Sequence, residues 1–108
     1  AEQTDYRGAG EHVLIVEDVP SVRSFVAEVL EEAGYRCTQA GDVETALVHL
    51  QSEAQIDLLL TDVGLPRMNG RELAERARAL RQGLPILFMT VGRDDRHRRQ
   101  PPAADRSP

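Results

Sequence analysis

Apolar residues along the chain follow two alternating rhythms. Val13, Leu14, Ile15 and Val16 form an unbroken run, short and mostly β-branched, as in a strand buried on both faces. Phe25, Val26, Val29, Leu30 and Ala33 then recur at helical spacing, in a helix that opens near Pro20 and stops at Gly34. Residues 35–40 read as a second strand. Asp42 is placed to cap a second helix carrying Val43, Ala46, Leu47 and Leu50. Residues 56–61, with the run LLL, predict a third strand. After the loop DVGLPRMNG, a third helix is expected over residues 71–81, apolar at Leu73, Ala74, Ala77 and Leu80 and closed by Gly83. Residues 85–89, PILFM, predict a fourth strand. Strands that alternate with helices, two of them wholly apolar, are the mark of an α/β parallel sheet covered on both faces.

The ends of the chain break this rhythm. Residues 1–11 are polar and glycine-containing and read as a linker or flexible arm. Residues 92–108, GRDDRHRRQPPAADRSP, hold two alanines and no larger apolar side chain, too little to bury a strand or a helix face. The expected organisation is therefore one domain over 12–91, an arm before it and a disordered basic tail after it.

Composition narrows the function classes. An apolar share of 41% with 29% charged residues belongs to a soluble globular domain. No apolar run nears the ~18 residues of a membrane span, and no signal peptide opens the chain, so a cytoplasmic location is expected. Net charge is −5, and most acids lie before residue 92, which argues against nucleic-acid binding by the main domain. Cys37 is the single cysteine, so an internal disulfide or a cysteine-built zinc site is excluded, and it reads as a small strand residue. All 13 basic residues other than histidine are arginine; there is no lysine.

Candidate chemistry sits at the strand ends. In an open parallel sheet, ligands bind outside the carboxyl ends of the strands, where neighbouring crossovers diverge. The first strand runs into Glu17 and Asp18, the third into Asp62, and the fourth into Thr90. If the first and third strands are neighbours, three carboxylates and a hydroxyl meet on one rim. Three close carboxylates repel one another and call for a hard cation with oxygen ligands; Mg²⁺ suits them. Singly, each is an ordinary loop or turn residue; their joint placement carries the signal.

These pieces resemble the receiver domains of two-component response regulators. The matching segments are VLIVEDVP, LLLTDVGLPRMNG and PILFMT. The loop from Asp62 to Gly70 is the most specific, since Pro66, Met68, Asn69 and Gly70 fall where the family has them. The resemblance implies a flavodoxin-like, doubly wound parallel sheet with strand order 2-1-3-4-5. It implies that Asp62 accepts a phosphoryl group from a histidine kinase, either separate or fused in the same polypeptide, as a signalling domain rather than an enzyme. Asp18, Asp62, a backbone carbonyl at Gly64 and Glu17, directly or through water, would hold Mg²⁺. Thr90 would act as the switch hydroxyl on a phosphoryl oxygen. Pro66 would shape the acceptor loop and Asn69-Gly70 would turn the chain into the third helix.

Beyond Thr90 the family has a fifth strand ending in a lysine that contacts the phosphoryl group. This chain offers no lysine; Arg93 stands three residues past Thr90, and its guanidinium fork is a different group from an ammonium. The fifth strand and last helices lack a counterpart. The tail reads either as a native terminus or as an out-of-frame reading of a GC-rich gene. The alternative function is therefore a receiver-like interaction module, or a truncated fragment, without competent phosphorylation. A nucleotide-binding enzyme is disfavoured, because Gly8-Ala9-Gly10 precedes a strand instead of following one. With no fifth strand, the fourth becomes a bare apolar edge, and part of the first helix around Phe25 and Val29 is expected to be bare too, favouring self-association or a partner.

Overall fold

The computed structural model describes residues 8–65 and 68–90. Its elements are β1 (His12–Val16), α1 (Pro20–Glu32), β2 (Arg36–Ala40), α2 (Val43–Gln51), β3 (Leu58–Asp62), α3 (Gly70–Leu80) and β4 (Ile86–Met89). The strands form one sheet in the order β2-β1-β3-β4, every pair parallel. This is the α/β architecture expected, as far as the described residues extend. The expected tail from residue 92, with Arg93, lies outside them, as does Pro66.

Two apolar cores sandwich the sheet. On one side Leu14, Val16 and Leu59 meet Val43, Ala46 and Leu50 of α2 and Leu73 and Ala77 of α3. On the other, Val13 and Ile15 meet Ala27 of α1, with Val26, Leu30, Leu58, Leu60 and Met89 partly buried around them. Successive β1 side chains thus enter opposite cores, which is why an unbroken apolar run was needed there.

The helices start and stop by local chemistry. Asp42 accepts from the Thr45 N–H at 2.7 Å, and Asn69 from the Glu72 N–H at 2.9 Å; each satisfies a donor that the helix start leaves orphaned. Pro20 opens α1, where its missing N–H costs nothing. Gly34 closes the turn after α1 at φ +101°, a conformation that disfavours side chains. Arg81 reaches from the end of α3 to the end of α2, donating to the Leu50 carbonyl at 3.0 Å and the Ser52 carbonyl at 2.8 Å.

Several boundaries differ from the sequence expectation. The third strand begins at Leu58 and runs through Asp62, two residues later at its start. Ile56 is buried in the core without joining the ladder, so its apolarity reflects packing. In α1, Phe25 and Val29 belong to the periodic stripe and are exposed, as expected. The stripe is wider than the strip of helix that the sheet covers. The last residues of the expected arm are tied down: Gly8 and Gly10 N–H groups donate to the Ala33 and Gly34 carbonyls, and Glu11 accepts from the Arg36 N–H. Residues 1–7 lie outside the described region.

Candidate functional site

The parallel order brings the carboxyl ends of β1 and β3 side by side, with Val16 paired to Thr61. Glu17 follows β1 directly, and Asp62 closes β3. Both are fully buried, and Asp18 is half-buried. One carboxylate oxygen from each of Glu17, Asp18 and Asp62 can be chosen so that all three lie within 4.8 Å of one another. The three acids picked out by sequence therefore form one cluster.

Burying acids together shifts their protonation. Glu17 is pushed up to about 8, first by its burial and then by the adjacent Asp62 carboxyl. Its Oε2 accepts from the Val19 N–H at 2.7 Å, while its Oε1 is buried with no hydrogen-bond partner. An unmatched buried carboxylate oxygen beside two further carboxylates is what a hard divalent cation satisfies, so the donor set fits one.

The loop after β3 is held from both ends. The Gly64 N–H donates to Asp62 Oδ1 at 2.9 Å, which orients the carboxylate. The Gly70 N–H donates to the Val63 carbonyl at 2.8 Å. A Cβ on Gly70 would come within 2.5 Å of the Asp62 carbonyl oxygen and 2.9 Å of the Val63 Cα. Gly70 is thus required by close approach of α3 to the end of β3, while Asn69 makes the cap. Thr90 follows β4, whose Met89 pairs with Asp62, so it sits on the same rim, exposed.

Sequence reasoning missed two residues here. Arg23 donates through Nη1 to the Glu17 carbonyl at 2.7 Å, and its guanidinium lies against Gly41. The available signal was geometric: side chains in the first turn of a helix tilt toward its N-terminus, here toward the acidic rim. Cys37 plays no part. It is half-buried in β2, and burial, with the charge of Glu31, raises its thiol, which disfavours the reactive thiolate.

The chain shares its sequence pattern and its parallel α/β sheet with a class of signalling domains. The response regulator receiver domain family matches residues 13–103, and the chain belongs to that family. It is 41% identical over 78 residues to the response regulator receiver protein CpdR of Brucella abortus, covering 72% of this chain and 64% of CpdR. It is 38% identical over 79 residues to the sensor histidine kinase RcsC of Escherichia coli, covering 73% of this chain and 8% of RcsC. It also superposes on the chemotaxis response regulator CheY4 of Vibrio cholerae with a TM-score of 0.68 at 30% identity, covering 82% of this chain and 76% of CheY4. The chain thus spans less than two thirds of CpdR and under a tenth of RcsC. No helix among the described residues is long and apolar enough to cross a membrane.

Proposed function

We propose that this receiver domain is a phosphoacceptor in a phosphorelay, with Asp62 as the acceptor. The observation that carries this is the buried Asp62 carboxylate at the end of β3, oriented by the Gly64 N–H and grouped with Glu17 and Asp18. One Asp62 oxygen attacks the phosphorus of a phosphohistidine; the P–N bond breaks and the imidazole leaves, giving an acyl phosphate. Such a transfer needs alignment and charge neutralisation more than covalent help. Glu17, Asp18, Asp62 and the Gly64 carbonyl would hold Mg²⁺, which supplies positive charge to the transferred oxygens. Thr90 donates its hydroxyl to a phosphoryl oxygen from the neighbouring strand end. The donor is a histidine kinase, a reading supported by RcsC, in which a matching segment belongs to a protein named as one. The functional unit is residues 12–91, working in the cytoplasm as a signalling domain and not as an enzyme.

Intact-mass measurement after incubation with acetyl phosphate and Mg²⁺ tests this. One phosphoryl mass should be gained, and Asp62→Asn should abolish it. Labelling that survives the substitution places the acceptor elsewhere.

A second reading is an interaction module that keeps the fold without phosphorylation. It expects no mass gain for the wild-type chain.

A further inference from the structure

We propose that Arg23 is a positioning residue for the acid pair and that Gly41 is its seat; this rests on the phosphoacceptor reading of the rim. At Glu17 the chain leaves the sheet and turns toward α1, so its peptide groups lose the regular ladder. Three bonds replace it. The Glu17 N–H donates to the Ala40 carbonyl at 3.1 Å. The Glu17 side chain takes the Val19 N–H at 2.7 Å. The Glu17 carbonyl, which belongs to the peptide that carries Asp18, takes Arg23 Nη1, also at 2.7 Å. The third bond has a charged donor and is the strongest of the kind. It fixes the plane of the peptide between the two acids, and with it where the Asp18 carboxylate stands relative to Glu17 and Asp62.

Gly41 gives independent support. A Cβ there would lie 3.0 Å from Arg23 Nη1 and 3.6 Å from its Cζ. Atoms at van der Waals contact prefer about 3.5 Å or more. The guanidinium therefore occupies the space that a side chain at residue 41 would claim. The carbonyl that Arg23 grips and the glycine that admits it come from different strand ends, β1 and β2, so the residue joins both to α1.

Two effects of Arg23 oppose each other. Its positive charge near the rim disfavours a divalent cation, whereas its grip on the peptide favours the geometry that binds one. The geometric effect wins. Outer contacts that orient ligands are worth about 10–100-fold in metal affinity.

The experiment is an Mg²⁺ titration of the full chain followed by amide NMR at residues 17, 18 and 62–64, with urea unfolding measured without metal. Arg23→Met should weaken Mg²⁺ binding about tenfold, and Arg23→Lys, which keeps a donor and the charge, should recover most of that loss. Gly41→Ala, with Arg23 intact, should weaken binding in the same direction by less; it also serves where Arg23→Met fails to fold. Unchanged or tighter Mg²⁺ binding in the folded variants, with only the urea midpoint lowered, overturns the proposal and leaves Arg23 a purely structural tie. A wild-type chain whose rim amides ignore Mg²⁺ overturns the metal centre itself, and the proposal with it.

Discussion

On one face of the sheet, α2 and α3 lie over Leu14, Val16 and Leu59, each 0% exposed. On the other face, α1 is the one helix among the described residues that packs against Val13 and Ile15. There Leu58, Leu60 and Met89 are only partly buried, and Leu87 is 56% exposed. Helix α1 buries just Ala27 completely. The strands feeding the two faces are equally apolar. The difference comes from how many described helices cover each face and from distance to the sheet's centre. β1, flanked by β2 and β3, is shielded on both sides, whereas β4 is the outer strand of the described sheet. An apolar side chain stabilises in proportion to the area it removes from water, so equal residues on the two faces do unequal work.

Leucine truncation tests that inequality directly. Leu59→Ala, on the doubly covered face, should cost about 3 kcal/mol in urea unfolding, from lost burial plus the cavity left behind. Leu87→Ala, on the thinly covered face, should cost under about 1 kcal/mol. Equal costs would show that Leu87 is covered in solution and would remove the contrast.

The acidic rim lies between the two faces and should respond to pH. Glu17 titrates near 8 in the folded chain and near 4.5 without the fold's influence. The native state therefore binds more protons than the unfolded state between these values, and metal-free stability should fall as pH rises through that window. On the proposed metal reading, Mg²⁺ would have to displace the retained proton, so its affinity should drop about tenfold per pH unit below 8. Calorimetric titration in buffers of different ionisation heat reads the proton released. A pH-independent Mg²⁺ affinity between pH 6 and 8 would show that metal binding releases no proton from Glu17 and would remove this prediction.

Much of the fold and most of the site were readable from local pattern. The α/β alternation follows from runs such as VLIV and from caps such as Asp42, and the acids of the rim follow from their places at strand ends. What escaped is what neighbours decide. Ile56 is apolar for packing and not for pairing. Arg23 and Gly41, 18 positions apart, meet only because β1 and β2 end together. No short-range pattern encodes such a meeting.

The smallest expected effect is association between copies of the chain. The thinly covered face combines Leu87 on β4 with Phe25 and Val29 on α1, and Phe88 stands 43% exposed on the opposite side of β4, with Arg71 over its ring. β4 carries no charge or proline within Ile86–Met89 to discourage pairing of its outer edge. Water-exposed apolar area of this kind favours weak contact between like surfaces, and a second copy brings an identical edge. Sedimentation velocity should show concentration-dependent self-association at tens of micromolar. Leu87→Lys should return the chain to monomer while costing little stability, because that position contributes little burial. A monomer at all concentrations, unchanged by the substitution, would mean that the edge is already covered within one chain. The two faces would then differ less than the described residues indicate, and the small cost expected for Leu87→Ala should rise toward that of Leu59→Ala.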